Sequence, residues 1–244
     1  MSVSRGRPNW KRVIIKLSGE ALTGGEGFGL HAPTVARIAR DIASAAALGV
    51  EIGVVVGGGN FFRGIQGGSE SGIERARADS IGMLATVMNA LALEAALETE
   101  KAPARALSAI AMPALCQPYS RQAALHHLAK GRIVVLAGGT GNPFFTTDTG
   151  AALRAAELSA NAVMKATNVD GIYTADPKRD PNATRYDELT HEEAIVRDLA
   201  VMDTAAFALA RENRIPIVVF SIREEGAIRA ALEGKGHATY VLPS

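Results

Sequence analysis

The segment at residues 139–149, GTGNPFFTTDT, combines several residue types that suit a ligand-binding loop. It follows an apolar run at residues 133–137 that predicts a buried strand. Glycine, asparagine and proline favour an irregular turn there, and phenylalanines, threonine hydroxyls and the carboxylate of Asp148 accompany it. Loops at the carboxyl ends of parallel strands commonly bind nucleotides and phosphates. We therefore expect this segment to bind a ligand, although Asp148 could instead cap the helix that follows.

Two further segments place glycine and a cation close to the end of a predicted strand. In KLSGEAL, residues 16–22, Lys16 is costly to bury unless an anion meets its ammonium group. An edge lysine that reaches water would explain this pattern equally well. In GGGNFFRG, residues 57–64, three glycines expose backbone amides and Arg63 adds a planar charged group. This second segment favours a phosphate site over a purely structural turn.

A fourth segment, KATNVDGIYTADP at residues 165–177, begins with a second strand-end lysine, Lys165. Tyr173 could stack on a purine ring, and Asp176 could accept a hydrogen bond from a ribose hydroxyl. A well-packed hairpin would account for the same residues. The segment therefore adds to a nucleotide site only in combination with the other three.

The three cations Lys16, Arg63 and Lys165, set on glycine-bearing turns, indicate a site that neutralises several phosphate charges. Phosphoryl transfer has this requirement, because negative charge spreads over the oxygens of the transferred group. An acceptor that is itself a phosphate is largely deprotonated at neutral pH, so no general base is needed. The sequence has no GxxxxGK[ST], HExxH or GxSxG motif, which argues against a Walker-type ATPase, a zinc protease and a serine hydrolase.

The composition is that of an ordinary globular protein, with 244 residues of which 48% are hydrophobic and 21% charged. The net charge of +1 provides no overall field for nucleic acid or an anionic membrane, so we expect neither partner. The single cysteine, Cys116, excludes an intrachain disulfide and suits a reducing compartment. No secretory signal and no apolar stretch of about 18 residues are evident, and we expect a cytoplasmic protein.

Strands that alternate with helices must position these segments. Predicted strands cover residues 12–17, 51–56, 132–137, 162–166 and 215–220. Predicted helices cover residues 33–48, 74–100, 121–130, 147–160, 203–212 and 224–233. This alternation predicts an α/β fold, a three-layer α/β/α sandwich around a mostly parallel central sheet.

Residues 168–187 interrupt the alternation. An Asp-Gly pair suggests a tight turn, and two Asp-Pro pairs prevent a continuous helix. We expect a short hairpin followed by an exposed loop. Because no linker separates independent domains, we expect one domain, with an amino-terminal lobe at about residues 1–150 and a carboxy-terminal lobe at about 151–244.

Several segments together resemble the bacterial uridylate kinase (UMP kinase) family of the amino acid kinase superfamily. They are KLSGEAL, EGFG, GVVVGGGNFFRG, GMLATVMN, GTGNPFFTTD, KATNVDGIYTADP and VMDTAAFALAR. The combination of GTGNPFFTTD with GGGNFFRG is the specific part, since other superfamily members share the lysines and glycines but not that pair. The resemblance extends from about residue 11 to near the carboxyl terminus and implies the amino acid kinase fold.

The resemblance implies magnesium-dependent transfer of the γ-phosphate of ATP to UMP, giving UDP and ADP. The residues implied to be catalytic are Lys16, Arg63, Asp148 and Lys165, with Lys16 stabilising the transferring group and Asp148 orienting the lysines. The residues implied to bind ATP are Lys16, Leu17, Ser18, Gly19, Gly59, Arg63, Thr167, Asn168, Tyr173 and Asp176. Those implied to bind UMP are Gly58, Asp79, Thr140, Gly141, Asn142, Pro143, Phe144, Phe145, Thr146 and Thr147. No metal ligand is assigned to the protein, because Mg²⁺ in such sites is held largely by phosphates and waters.

The resemblance also implies a homohexamer, with residues 74–100 as a candidate interface helix, and effects of GTP and UTP that some members show. The residues implied to be GTP-linked are Gly24, Gly25, Glu26, Gly27, Phe28 and Gly29, although these glycines could simply form a flexible loop. Two other hypotheses stay open, an enzyme that phosphorylates a small carboxylate or carbamate and a nucleotide sensor without turnover. Asp79 and residues 140–147 argue against the first, and the intact set of Lys16, Asp148 and Lys165 argues against the second.

Overall fold

The strands form one large sheet and one small hairpin sheet. The computed structural model describes residues 10–62, 72–177, 179–197, 199 and 202–243. The strands in these ranges are β1 Arg12–Leu17, β2 Glu51–Val56, β3 Ala104–Ser108, β4 Gln117–Pro118, β5 Ile133–Ala137, β6 Ala162–Thr167, β7 Ile172–Tyr173, β8 Arg185–Tyr186, β9 Glu188–Thr190, β10 Ile217–Ser221 and β11 Ala238–Leu242. The helices are a short 3-10 helix, Gly19–Leu22, and α1 Ala32–Ala46, α2 Arg75–Thr99, α3 Arg121–Ala129, α4 Thr147–Glu157, α5 His191–Val196, α6 Thr204–Glu212 and α7 Ala227–Leu232.

The large sheet has nine strands in the order β4-β3-β5-β2-β1-β6-β10-β11-β9. Its neighbouring strands are parallel, except that β10 and β11 are antiparallel. The first five strands lie on one side of the β1/β6 boundary and the later strands on the other. The strand order therefore reverses between β1 and β6, and open α/β sheets bind ligands at the carboxyl ends of strands beside such a point. Both predicted lobes supply strands to this one sheet, and the division into lobes stays a prediction.

Helices cover both faces of the sheet. One core contains Val13, Ile15 and Leu17 of β1 together with residues of α1, α2 and α7. The core on the opposite face contains Ile14 together with residues of α3, α4, α5 and α6. Because side chains alternate along a strand, Lys16 lies on the same face as Ile14 and α4. These layers confirm the predicted α/β/α sandwich.

The pairing of β1 with β6 has a defined register. At the amino ends, Asn161 Oδ1 accepts hydrogen bonds from the backbone N–H groups of Lys11 and Arg12, at 2.8 and 2.9 Å. The parallel register then places Lys16 directly opposite Lys165 near the carboxyl ends. Two lysines that are distant in sequence thus meet at one edge of the sheet.

Some short elements and boundaries differ from the sequence prediction. The prediction lacks β3, β4, β9, β11 and α5. Strand β10 begins at Ile217 rather than at residue 215, because Pro216 has no backbone N–H to donate to the sheet. Helix α7 begins at Ala227 rather than at residue 224, because Gly226 precedes it in the left-handed conformation, with φ of 80°.

The prediction for residues 168–187 is wrong in the order of its parts. Strands β7 and β8 pair antiparallel, with Ile172 opposite Tyr186 and Tyr173 opposite Arg185. The loop at residues 174–184 therefore lies inside the hairpin instead of following it. Its two Asp-Pro pairs keep the hairpin strands short, because proline cannot donate to a strand ladder.

Helix α2 is the one helix in the described ranges that is long and apolar enough to span a membrane by length and composition. A helix from the core of a soluble protein passes the same test, and α2 packs against α1 and the sheet. Val87, Ala90, Leu93 and Leu97 place one side of it in the first core.

Candidate active site

A buried cluster of three charged side chains lies near the carboxyl ends of β1 and β6. Lys16 Nζ lies 2.9 Å from Asp148 Oδ1, and Lys165 Nζ donates to Asp148 Oδ2 at 2.6 Å. The three side chains are 11 to 15% exposed. Asp148 reaches the lysines from the first turn of α4 but does not cap that helix. The cap is Thr146, whose hydroxyl oxygen accepts from the backbone N–H groups of Asp148 and Thr149.

Burial and charge together set the protonation of this cluster. Burial raises the pKa of the Asp148 carboxyl, but the ammonium groups of Lys16 and Lys165 outweigh burial and bring that pKa below its ordinary value. Burial lowers the pKa of Lys165, an effect that Lys16 reinforces and Asp148 opposes. Asp148 is therefore ionised at neutral pH. Two ammonium groups around one carboxylate leave a surplus of positive charge that attracts a polyanion.

Two glycine-bearing turns contact each other beside this cluster. A Cβ on Gly19 would lie 2.8 Å from the backbone nitrogen of Gly59. A Cβ on Gly58 would lie 2.6 Å from the carbonyl oxygen of Gly82 in α2. Both positions therefore require glycine, because the neighbouring backbone is too close for a side chain. The turn after β1 and the turn after β2 form one surface of backbone groups.

Three other residues expected at these turns contribute in different ways. Leu17 is fully buried in the core, so only its backbone belongs to the site. Ser18 lies in an extended conformation immediately before the 3-10 helix. Arg63 lies outside the described residues, and its predicted role stays a prediction.

A cavity of about 220 Å³ lies between the turn after β2, helix α2 and the loop at residues 139–147. The predicted residues that line it are Gly58, Asp79, Thr140, Asn142, Phe145, Thr146 and Thr147. Gly141, Pro143 and Phe144 belong to the same loop but fall outside this lining. Most of the segment at residues 139–149, with which the sequence analysis began, therefore surrounds one cavity.

Asp79 connects α2 to that loop. Its Oδ2 accepts a hydrogen bond from Arg75 Nε and one from the backbone N–H of Phe144, each at 2.8 Å. The Arg75 guanidinium carbon lies 5.7 Å from the centroid of the Phe144 ring. Arg75 also lines the cavity and brings a cation to it. The sequence analysis did not single out Arg75. Its position one helical turn before Asp79 could have indicated that the two side chains pair.

A second cavity, of about 580 Å³, has Lys165 in its lining. Of the residues predicted to bind there, Thr167, Tyr173 and Asp176 line it, whereas Asn168 falls outside the lining. Tyr173 Oη donates to Asp170 Oδ1 at 2.8 Å. The volume and the mixture of apolar and polar lining suit a nucleoside-sized ligand.

The comparison with known proteins settles the family. Residues 11–221 match the sequence pattern described as "Amino acid kinase family". The chain belongs to the amino acid kinase family.

Similar proteins identify the branch of the family. A protein named uridylate kinase from Azorhizobium caulinodans is 63% identical over 234 residues, which are 96% of this chain and 98% of that relative. The solved structure of UMP kinase from Bacillus anthracis is similar, with a TM-score of 0.91 at 39% identity, covering 96% of both chains. UMP kinase from Ureaplasma parvum has a TM-score of 0.91 at 36% identity, covering 95% of this chain and 98% of that one. The predicted resemblance to uridylate kinases is confirmed.

Across the described ranges, this amino acid kinase has no group of three His, Cys, Asp or Glu side chains that could hold a metal ion. The central carboxylate, Asp148, is already bridged by two ammonium groups.

Asp203 is a second carboxylate of the kinase site, and sequence reasoning missed it. Its Oδ1 accepts from the backbone N–H of Ala206 at 2.9 Å and caps α6. The same carboxylate accepts from the Thr149 hydroxyl at 3.0 Å and from the Thr146 hydroxyl. Its charge opposes the burial that lowers the pKa of Lys165. The signal that could have found it was an aspartate at the start of a helical run in VMDTAAFALAR.

The loop implied to be GTP-linked lies against the turn after β2. The backbone N–H of Gly29 donates to the Asn60 carbonyl at 3.0 Å, and Asn60 Nδ2 donates to the Gly29 carbonyl at 2.8 Å. Exposed Phe28 packs edge-on against Phe61, with ring centroids 5.8 Å apart. The glycines of the loop, Gly24, Gly25, Gly27 and Gly29, have positive φ, and Glu26 is exposed. The loop thus contacts the site, and its link to GTP stays a prediction.

Proposed function

We propose that this chain transfers the γ-phosphoryl group of ATP to UMP, giving ADP and UDP. The observation that carries the proposal is the cluster of Lys16, Asp148 and Lys165, which contributes one lining residue to the larger cavity and adjoins a lining residue of the smaller one in sequence. Lys165 lines the larger cavity, and Thr147, the neighbour of Asp148, lines the smaller one. Relatives named uridylate kinase, similar over nearly the whole chain, support UMP as the acceptor.

The larger cavity suits the ATP nucleoside. Tyr173 offers a ring for stacking, Asp176 offers a carboxylate to the ribose, and Thr167 provides a further polar group. Asn168, outside the lining, is assigned to ATP by the family resemblance alone. The ATP phosphates then lie over the backbone of residues 17–19 and Gly59, where glycines allow close approach.

The smaller cavity suits UMP. Asp79 and Gly58 line this cavity. We assign Asp79 to the ribose hydroxyls of UMP, Gly58 to UMP binding and Arg63 to the UMP phosphate. The residues assigned to the uracil pocket are Thr140, Gly141, Asn142, Pro143, Phe144, Phe145, Thr146 and Thr147. An amino-acid acceptor has no ribose or uracil for these groups to recognise.

In the transfer, an oxygen of the UMP phosphate forms a bond to the γ-phosphorus as the bond to the β–γ bridging oxygen breaks. The bridging oxygen leaves with ADP and keeps the electron pair. Lys16 and Lys165 stabilise the charge on the transferring group, and Asp148 orients both ammonium groups. The second pKa of a phosphate acceptor is about 6, so the acceptor is largely deprotonated at neutral pH and the reaction needs no side chain as a base. When bound, Mg²⁺ neutralises charge on the ATP phosphates.

We further propose that the enzyme is a cytoplasmic homohexamer of pyrimidine nucleotide synthesis that responds to GTP and UTP. Leu84 and Met88 of α2 are 44% and 48% exposed, which supports a contact between copies on this helix. A groove of about 310 Å³ between α1 and α2, lined mainly by Leu30, Val35 and alanines, supports the same contact.

The decisive experiment is a coupled ADP-release assay with UMP, CMP, dTMP, acetylglutamate and carbamate as acceptors. We expect turnover with UMP well above that with any other acceptor. The proposal is rejected by the absence of turnover with UMP. Turnover with acetylglutamate or carbamate would support the small-acid kinase instead. Tight UTP binding without ADP release from any acceptor would support a sensor.

A further inference from the structure

Helix α2 carries two buried polar side chains for which the proposed chemistry gives no role. Thr86 and Asn89 belong to the segment GMLATVMN and are 3% and 0% exposed. They are three residues apart, so they share one side of the helix. Buried polar groups destabilise a fold unless they are hydrogen-bonded, so their partners indicate what they do.

Thr86 lines the smaller cavity and holds the start of the loop that surrounds it. Its Oγ donates to the Met83 carbonyl at 2.6 Å and accepts from the backbone N–H of Gly138 at 2.7 Å. Gly138 directly follows β5 and has φ of 74°, a conformation that favours glycine. The hydroxyl therefore fixes the point from which residues 139–147 depart.

Asn89 holds the turn after β2. Its Nδ2 donates to the Gly57 carbonyl and to Asn60 Oδ1, both at 2.7 Å. Its Oδ1 accepts from Asn60 Nδ2 at 3.0 Å. Asn60 is also buried, so the two amides close residues 57–60 against α2 away from water. The turn fixed in this way contains Gly58 of the smaller cavity and Gly59, which contacts Gly19.

We infer that Thr86 and Asn89 are positioning residues that set the separation between the acceptor loop and the glycine turn. Three residues of α-helix correspond to a rise of about 4.5 Å, and a helix holds that spacing rigidly. A shift of about 1 Å between reacting groups can lower a rate about 10²-fold. The inference rests on the proposed function, since it assigns Thr86 to the UMP side and Asn89 to a turn that both nucleotides contact.

The test begins with Thr86→Val, which keeps the shape of the side chain and removes the acceptor of the Gly138 N–H. We expect kcat/KM for UMP to fall about tenfold while KM for ATP changes less than about twofold. Thr86→Ser restores the hydroxyl and should recover most of the loss. The control is Thr99→Val, the same change at an exposed position of α2, where the hydroxyl donates to the Ala95 carbonyl at 3.0 Å.

A second variant, Asn89→Leu, removes the donor to the Gly57 carbonyl with little change in volume. Because the turn it holds contacts both nucleotides, we expect KM for ATP and KM for UMP to rise together, each about tenfold or more. A general loosening of α2 would give both variants the same kinetic pattern. The difference between the two patterns is therefore the readout specific to positioning.

Three outcomes would overturn the inference. One is a wild-type kcat/KM for UMP in Thr86→Val, and another is an equal loss in the Val and Ser variants. The third is insoluble protein from both Thr86→Val and Thr86→Ala, because the hydroxyl would then serve folding rather than positioning. An inactive wild-type protein would instead defeat the proposed function. Calorimetric titration of UMP into the same variants would then test the positions separately.

Discussion

The two lysines of the site share a single carboxylate. Lys16 and Lys165 occupy paired positions on adjacent strands, where two ammonium groups alone would repel each other. Each instead contacts one oxygen of Asp148, which offsets that repulsion and points both groups along the same edge. In the proposed transfer, a phosphoryl group that gains negative charge would meet donors that are already oriented, which is how electrostatic catalysis avoids reorganisation.

Lys16→Ala should lower kcat on the order of 10²-fold, by comparison with the loss of one donor from an oxyanion hole. The effect on KM for UMP should be smaller, because Lys16 acts on the transferring group. Steady-state ADP release over a range of UMP concentrations, with ATP saturating, measures both constants. Lys11→Ala changes an exposed lysine at the opposite end of β1 and should retain wild-type rates. Equal kcat in the Lys16 variant and the wild type would contradict the assigned role.

Asp148→Asn should destabilise the fold in a pH-dependent way. Burial raises the carboxyl pKa, but the two lysines outweigh it, and the net pKa lies below the ordinary value of 3.8. The carboxylate therefore contributes its full stabilisation above about pH 4 and loses it as the pH falls through the lower, folded-state value. At pH 7 the variant should lose on the order of 3 kcal/mol, and this difference should shrink in acid.

Urea unfolding at several pH values measures that difference. The control is Asp187→Asn, which removes a 90% exposed partner of Arg185 and should cost less than about 1 kcal/mol. A stability difference between Asp148→Asn and wild type that does not depend on pH would exclude the electrostatic explanation.

Helices α4 and α6 meet at their amino-terminal ends through one side chain. Asp203 caps α6 and also accepts from Thr146 and Thr149, so it ties α6 to the cap and first turn of α4. The same first turn carries Asp148. The position of the lysine cluster thus depends on how two helices are joined, beyond the strands that carry the lysines.

Asp203→Ala should lower stability by about 1 to 2 kcal/mol, because α6 loses its cap and two threonine hydroxyls lose an acceptor. Asp203→Asn keeps an oxygen that can cap α6, so this variant should lose less stability than the alanine variant. Since Thr146 also lines the smaller cavity, the alanine variant should show a raised KM for UMP. Thermal unfolding and steady-state kinetics provide the two measurements. Identical melting of the alanine variant and the wild type would contradict this account.

The sequence predicted elements well where the pattern is long and local. Helices α1 to α4 and α6 and strands β1, β2, β5 and β6 lie close to their predicted positions. The missing β3, ARALS, is short and lacks β-branched residues, and its pairing with β5 decides its conformation. The position of β1 beside β6 was also beyond local patterns, because strand order depends on contacts between distant residues. Local patterns therefore found the lysines one by one, and the family resemblance implied Asp148 as the residue that orients them. The pairing of Lys16 with Lys165 across adjacent strands was not predicted.

At the scale of the whole molecule, α2 combines three features. One side packs in the core, Thr86 and Asn89 hold the loops of the site, and Leu84 and Met88 remain exposed. Exposed apolar side chains on a long helix are typical of contacts between protein copies. The exposed side of α2 is separated from the side that holds the loops by the width of the helix. A contact between copies on the exposed side would therefore lie about 10 Å from the loops of the site.

Met88→Glu should separate the proposed assembly, because a charge buried at an apolar contact costs more than the contact provides. We expect the wild-type chain to sediment as a homohexamer and the variant as smaller particles in sedimentation velocity runs. Val196→Glu alters a 78% exposed apolar residue of α5 and serves as the control. A monomeric wild type, or a variant that sediments like the wild type, would refute the interface.

The register that Asn161 sets between β1 and β6 has a consequence for insertions and deletions. Removing one residue from within either strand, before its lysine, would turn that lysine to the opposite face of the sheet, which packs against α1, α2 and α7, since side chains alternate with a period of two. Within the loop of the β7/β8 hairpin, residues 179–184 fall outside the lining of the larger cavity and can change in length at little thermodynamic cost. Length variation compatible with activity should therefore accumulate in that hairpin and be excluded from the two lysine-bearing strands.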